Sequence, residues 1–355
     1  GIEYACSRVP LALDGCLYTR VMNMSLFATF LLAITVKEAA YALPSPLREI
    51  LIVAVCLGAL WGGAVMQQAG AKRPSGPAPP PRWRECAKAD LLAPEVLVLD
   101  PKLDGQPLAV ALVPGNPGIP HFYCHFGEHL QEALSSLGFR ATIYCLGYVS
   151  FPTSEVGAAA REAAGPASVD EEATAISAAL LDIQAKHPEQ GLVILGHSIG
   201  AWIVTQHLKS LPGDRLAALR RVLLFMPYLE YARGRQSLVY RLAAATKVLR
   251  FLALSAVAAP GWVKRVAAWV LSKSPEGCYS HDATMKTFFQ QPHHLSMVAG
   301  VYRTECLRLD PKVPGCGFEE FSAVLGRHGR PPIAAAFTAA DMWAPMEHCA
   351  TVRGL

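Results

Sequence analysis

Charge is scarce in this chain. Asp, Glu, Lys and Arg together make up 17% of its 355 residues, and the formal net charge at pH 7 is only +4. So small a basic excess excludes the electrostatic footprint of a nucleic-acid binder, although it is compatible with an anionic membrane surface. Metal-binding patterns are missing too. There are ten cysteines, but no CxxC pair and no Cys/His spacing of the zinc type, so neither a metal nor a cofactor is expected. Several cysteines sit in apolar runs, Cys56 and Cys145 among them, and read as reduced residues of an intracellular protein. The first residue is Gly1 rather than Met, which suggests a fragment or a processed chain.

What the chain has instead is apolar mass, 52% of residues with a mean hydropathy of +0.27. Part of it is concentrated near the start. Residues 1–23 show no clear period. Met24 to Val36 is an apolar run of thirteen residues, and Ile50 to Met66 is an uncharged run of seventeen, at the short limit for a bilayer span. Joined through Pro44 and Pro46, the two could form a membrane hairpin, a targeting segment or a pair of buried helices; hydropathy favours a membrane or lipid-surface anchor. A stretch dominated by Pro and Gly follows, too poor in apolar residues for a core. Its flanking Lys72, Arg73, Arg82 and Arg84 place the rest of the chain on the cytosolic side. The organisation expected is therefore an apolar extension at 1–67, a linker at 68–85 and a catalytic-type domain at 86–355.

From Val96 onward, apolar runs alternate with amphipathic stretches. Strands are predicted at 96–99, 108–113, 139–146, 192–195, 221–226 and 333–337, and helices at 121–137, 168–186 and 201–211. The alternation predicts a mostly parallel sheet with flanking helices. Residues 228–330 break the rhythm and read as a large helical lid insertion. A long helical stretch over 236–269 carries Arg241, Lys247, Arg250, Lys264 and Arg265. These charges argue against a span and suit a cover for an acyl pocket or a lipid-surface contact.

The informative motif is Leu192-Val-Ile-Leu-Gly196-His197-Ser198-Ile199-Gly200, an apolar strand running into Gly-x-Ser-x-Gly and then a helix. This is the context of a nucleophile elbow, in which a strained turn presents a serine at the sheet edge. Gly196 and Gly200 keep bulk away from it. A serine hydroxyl is a poor nucleophile without a base, an acid behind the base and two oxyanion donors. One donor is the N–H of Ile199. The other belongs to the loop Pro114-Gly115-Asn116-Pro117-Gly118, where the prolines cannot donate; among Gly115, Asn116 and Gly118 the choice falls on Asn116. Asp341, after the last strand, is the candidate acid. The base is not evident. His348 follows Asp341 by seven residues and reads as a surface residue of the next helix. His197 is too close to Ser198 to turn onto its hydroxyl, and His121, His125 and His129 line a polar helix face. The missing C-terminal strand and histidine are expected beyond Leu355.

The loop Pro114–Gly118 with Phe122-Tyr123, the elbow Gly196–Gly200, Leu223-Leu-Phe225 and Asp341-Met-Trp-Ala-Pro345 together resemble the lipid droplet-associated hydrolase family of α/β-hydrolases, over about residues 107–350. The resemblance implies Ser198 as nucleophile and Asp341 as acid. It also implies association with lipid droplets or the endoplasmic reticulum, and esterase activity on neutral lipids such as sterol esters. The chain departs from the family in its apolar N-terminal extension and in lacking the segment with the catalytic histidine. A catalytically incomplete droplet protein and another acyl-transfer enzyme, a thioesterase or acyltransferase, are the competing expectations.

Overall fold

The computed structural model describes residues 3–5, 83–85, 93–101, 104–152, 155–188, 191–230, 258–272, 278–290, 293–310, 312–313, 317–337 and 346–354. Met24–Val36, Ile50–Met66, most of the Pro-rich stretch, residues 236–257 and Asp341 lie outside them. The membrane anchor and the acid are therefore expectations on residues outside this description.

The chain divides into two units. The first, Gly1–Cys6, Pro80–Ala259 and Gly277–Leu355, holds a sheet of eight strands. They are β1 (Glu3–Ala5), β2 (Trp83–Glu85), β3 (Val96–Leu99), β4 (Gln106–Val113), β5 (Phe139–Leu146), β6 (Leu192–His197), β7 (Leu219–Phe225) and β8 (Ile333–Ala336). Their spatial order is β1-β8-β7-β6-β4-β5-β3-β2. From β1 to β5 every neighbouring pair is parallel, whereas β3 on β5 and β2 on β3 are antiparallel. The helices of this unit are α1 (Cys124–Ser136), α2 (Glu155–Ala164), α3 (Val169–Lys186), α4 (Ile199–Ser210) and α5 (Gly213–Ala217). In the second unit the described helix is α6 (Gly261–Ser272). Back in the first come α7 (Tyr279–Thr284), α8 (His293–Arg308), α9 (Gly317–Leu325) and α10 (Met346–Gly354). This is the α/β-hydrolase architecture that the sequence predicts.

The central strand β4 is apolar without interruption because both of its faces are covered. Ala109, Ala111 and Val113 join a large core with Ile176 and Leu180 of α3 and Trp202 and Ile203 of α4. Leu108, Val110 and Leu112 join a smaller core with Trp83, Cys124 and Ile143. Each fully buried Leu or Val side chain contributes about 1.5–3 kcal/mol, which makes β4 the anchor of the loop that follows it. α3 is fixed at its start by a reciprocal cap: Ser168 Oγ accepts from the Glu171 N–H, and Glu171 accepts from the Ser168 N–H at 2.6 Å.

Four expectations change. The sheet begins before residue 86, because Trp83–Glu85 pairs with β3 and Glu3–Ala5 pairs with β8. Trp83 packs where α1 carries Gly127; a Cβ there would lie 2.6 Å from the indole. The helix predicted over 121–137 is a 3-10 turn at Pro120–Tyr123 followed by α1, with Pro120 at the start of the turn. The stretch 236–269 is not one helix. Pro260 lacks the N–H that would continue it, and α6 begins after it with Lys264 N–H bonded to the Pro260 carbonyl. Finally, much of the stretch read as a lid is core. Met297, Val301 and Leu309 of α8 and Phe318, Phe321 and Val324 of α9 pack into the same cluster as α3 and α4.

Candidate active site

Ser198 stands between β6 and α4, with φ 54° and ψ −124°. A non-glycine residue in such a conformation costs of order 1–3 kcal/mol and persists only where its surroundings over-determine it. Here its N–H donates to the Phe225 carbonyl at 3.0 Å, and its carbonyl accepts from Ala201 N–H at 3.0 Å and Tyr228 N–H at 3.1 Å. The elbow glycines are needed for space. A Cβ on Gly196 would meet Ala201 Cα at 2.8 Å, and one on Gly200 would meet the carbonyl oxygens of Pro114 and Val113 at 2.4 and 2.5 Å. Gly200 thus lets the start of α4 press against the end of β4, bringing the Ile199 N–H beside the Pro114–Gly118 loop. Gly115 is equally confined, since a Cβ there would lie 2.9 Å from Ser198 Cβ.

Tyr123 decides what that loop offers. Its hydroxyl accepts from the Gly115 N–H at 2.9 Å and lies 2.7 Å from His197 Nδ1. Burial pushes the phenol well above its ordinary pKa, so the oxygen keeps its proton and has it available for Nδ1. The two rings meet edge-on at 5.8 Å. One interaction therefore occupies the Gly115 N–H and also holds the His197 ring. Gly118 is committed to packing: a Cβ would stand 2.0 Å from the Tyr148 ring, whose hydroxyl donates to the Pro114 carbonyl at 2.8 Å and whose N–H donates to the Gly118 carbonyl at 2.8 Å. Asn116 is the remaining residue of the loop with an N–H, and its side-chain Nδ2 donates to the Val298 carbonyl of α8 at 3.3 Å.

The helix behind the serine is clamped. Glu320 of α9, 5% exposed, accepts from Trp202 Nε1 at 2.8 Å, Gln206 Nε2 at 2.7 Å and Lys209 Nζ at 3.0 Å, all on α4, and from Arg308 Nη2 of α8 at 2.6 Å. Burial alone would raise its pKa. The hydrogen bonds from Lys209 and Trp202 and the Arg308 charge outweigh this and hold it below the ordinary carboxylate value. The Arg308 guanidinium also stacks over the Trp202 ring, 5.4 Å from its centroid.

The histidines fall as follows. His125 and His129 lie on the exposed side of α1, 3.7 and 3.6 Å from Glu128 and Glu132, as a polar helix face requires; His121 sits on the 3-10 turn ahead of α1. His348 corrects an expectation. It is on α10, as predicted, but buried rather than at the surface, edge-on to Phe318 at 5.1 Å. Its neighbours Cys349 and Val352 are buried with it, so the inner face of α10 is this part of the helix. Sequence reading missed Tyr123, Tyr148 and Glu320. Tyr123 alone left a signal, as part of the motif after the loop; the other two act across long sequence separations.

No helix among the described residues is long and apolar enough to cross a membrane. The model of the lipid-droplet associated hydrolase family matches residues 106–354. No curated protein matches the chain by sequence. Solved structures that resemble it include an esterase from Exiguobacterium antarcticum, at 13% identity over 74% of this chain and 83% of that one, with a TM-score of 0.41. A hydrolase from Pseudomonas aeruginosa is 15% identical over 78% and 87%, with a TM-score of 0.45. The thioesterase domain from the curacin biosynthetic pathway is 11% identical over 77% and 88%, with a TM-score of 0.44.

Proposed function

The chain belongs to the lipid-droplet associated hydrolase family, and from that premise we propose that it is a serine ester hydrolase acting on neutral lipids, sterol esters or acylglycerols, at the droplet surface. The observation that carries this reading is the strained Ser198 turn, held between the Phe225 carbonyl and the start of α4. Strain of this kind presents a hydroxyl at a sheet edge and aims the free N–H groups of a helix start at the same point. Ser198 attacks the ester carbonyl, and the Ile199 and Asn116 N–H groups receive the oxyanion. A histidine takes the serine proton and delivers it to the leaving alcohol, with Asp341 orienting the ring; water then releases the acid from the acyl-enzyme. The family name points to lipid droplets, and the endoplasmic reticulum membrane is the alternative address, which fractionation of tagged protein separates. A fluorophosphonate probe tests the chemistry. It should label the full-length protein and leave its Ser198→Ala variant unlabelled; failure to label the full-length protein removes the hydrolase reading.

A second reading, a droplet protein without turnover, is favoured by His348 of α10, the histidine that follows Asp341, because it is buried against the Phe318 ring of α9. Labelling without hydrolysis of any sterol ester, acylglycerol or acyl thioester would select it. Turnover of thioesters alone would select acyl-transfer chemistry of another kind.

A further inference from the structure

The chain just past the Pro114–Gly118 loop presents a tyrosine that the proposed mechanism does not use. Tyr123 closes the 3-10 turn Pro120–Tyr123, one residue before α1. The turn sets its place. Ile119 N–H donates to the Pro117 carbonyl at 2.7 Å, and Phe122 N–H donates to the Ile119 carbonyl at 3.2 Å, so the chain leaving the loop curls tightly at its exit. The turn is also fastened to the sheet, because Cys145 Sγ of β5 donates to the Pro120 carbonyl at 3.2 Å. The Tyr123 ring packs against the smaller core. Its hydroxyl reaches the far side of that core, where the loop after β4 meets the end of β6.

The β4–β6 ladder ends at the pair Val113 and Gly196, and both the loop and the elbow lie beyond it. Each piece has its own support there. Ser198 is bonded to Phe225 and Tyr228 at the end of β7, the loop is bonded to Tyr148 after β5, and the Asn116 side chain is bonded to α8. The Tyr123 hydroxyl bonds to both pieces: it accepts from Gly115 N–H at 2.9 Å and lies 2.7 Å from His197 Nδ1. Gly115 rests directly on the elbow, since a Cβ there would lie 2.9 Å from Ser198 Cβ, 3.1 Å from His197 Nδ1 and 3.3 Å from the His197 carbonyl oxygen. A hydroxyl accepts and donates at once. Gly115 supplies the proton it accepts, and its own proton, retained because burial raises the phenol pKa, has Nδ1 as its acceptor. With a proton on Nδ1 instead, two donors would converge on one oxygen and the phenol proton would need another acceptor.

We propose that the Tyr123 hydroxyl is a strut between the oxyanion loop and the elbow, accepting from Gly115 N–H and donating to His197 Nδ1, and is thereby a positioning residue for the serine chemistry. This rests on the reading of Ser198 as nucleophile and Asn116 as oxyanion donor. The strut acts through the neighbours of both. Gly115 precedes Asn116, and His197 precedes Ser198, so each reacting group stands one residue from an end of the strut. A change in its length passes directly into the distance between the serine hydroxyl and the loop N–H, and oxyanion donors act only within about 2.7–3.1 Å of the developing charge. The strut also gives His197 a task that does not require it to turn onto its neighbour's hydroxyl: its Nδ1 is the acceptor, which leaves the ring proton on Nε2.

The test uses the full-length protein. Tyr123→Phe keeps the ring and loses the hydroxyl; His197→Asn keeps an acceptor at the position of Nδ1, and His197→Leu does not. The rate of fluorophosphonate labelling of Ser198 is measured at a temperature where thermal unfolding shows every variant folded. Tyr123→Phe should label about tenfold more slowly than the parent, and His197→Asn should label faster than His197→Leu. The double variant of Tyr123→Phe with His197→Leu should match Tyr123→Phe alone, because both substitutions remove the same strut. Labelling of Tyr123→Phe within about twofold of the parent, or losses that multiply in the double variant, would overturn the proposal. Nitrogen NMR of the His197 ring and amide exchange at Gly115 need no reactive serine. The parent should show Nδ1 unprotonated and Nε2 protonated; Tyr123→Phe should shift that balance and accelerate Gly115 exchange. A ring spectrum and an exchange rate indifferent to the hydroxyl overturn the proposal as well. A parent protein that shows both effects but never labels would refute the hydrolase reading and leave Tyr123 as the strut.

Discussion

Replacing Gly200 by Ala isolates the contact on which the candidate site depends. The added methyl would sit 2.4 Å from the Pro114 carbonyl oxygen and 2.5 Å from that of Val113. Real Cβ atoms do not approach closer than about 3.0 Å, so the start of α4 and the end of β4 must separate by at least about 0.6 Å. Neither side yields easily. β4 is hydrogen-bonded to β5 and β6, and α4 is tied to Glu320 through three side chains. Overpacking of this sort costs about 1–3 kcal/mol, which lowers the melting temperature by roughly 2–12 °C in a domain of this size. The functional effect should be larger than the stability effect, because the same shift moves the Ile199 N–H away from the Asn116 loop. Misplacement approaching 1 Å costs up to about a hundredfold in rate. The assay pairs thermal unfolding with the rate of fluorophosphonate labelling at a temperature where both proteins are folded. Labelling within threefold of wild type, with an unchanged melting temperature, would refute the argument that close approach of the two backbones builds the site.

Glu320→Ala should destabilise the fold by about 1–3 kcal/mol, because it leaves the buried Trp202 N–H without its acceptor and removes one of the carboxylates that hold Arg308. The double variant with Arg308→Met should recover part of that loss in denaturant unfolding; a single-variant loss below about 1 kcal/mol would show that the clamp is dispensable. His207 of α4 is fully buried with neither ring nitrogen bonded among the described residues, and burial lowers it from 6.5 to about 4. The folded state therefore binds the proton less readily than the unfolded state. Its contribution is intact above pH 6.5 and is lost as pH falls towards 4, by about 3 kcal/mol in all. His207→Leu should match or exceed wild-type stability at neutral pH and flatten that acid limb; an unchanged limb in equilibrium unfolding would rule His207 out as its source.

How much of this could be read in advance follows from where the signal resides. β4, β5 and β6 were legible because central parallel strands are apolar on both faces, and the elbow was legible because strand, Gly-x-Ser-x-Gly and helix occur in unbroken order. β2 was not: Trp83-Arg-Glu follows a run of prolines, and only the notch at Gly127 on α1 shows why the indole belongs in the sheet's smaller core. The stretch 228–330 misled for a related reason. Its apolar residues were read as a cover, whereas those of α8 and α9 complete the core against α3 and α4. Hydropathy reports that a residue is to be buried and says nothing of where. His348 was placed at the surface by the same limitation, since one histidine in nine residues of α10 carries no marker for the Phe318 ring it meets.

The proposed oxyanion donor is Asn116 rather than Gly115 or Gly118, and a physical argument favours that choice. An oxyanion donor must be unpaired in the resting protein yet held in direction, since a donor already engaged has to break a bond before it can stabilise charge. Gly115 fails on the first count, because the Tyr123 hydroxyl accepts its N–H. The Gly118 backbone lies under the Tyr148 ring, on the far side of two prolines. Asn116 meets both conditions only if its side chain holds the backbone still, and that side chain leans on α8 through Val298 and Glu305. α8 comes from the stretch that sequence reading assigned to a lid. Its contribution to the proposed chemistry is therefore to support the loop from beneath, and substitutions there should be read first as changes in oxyanion geometry rather than in substrate entry.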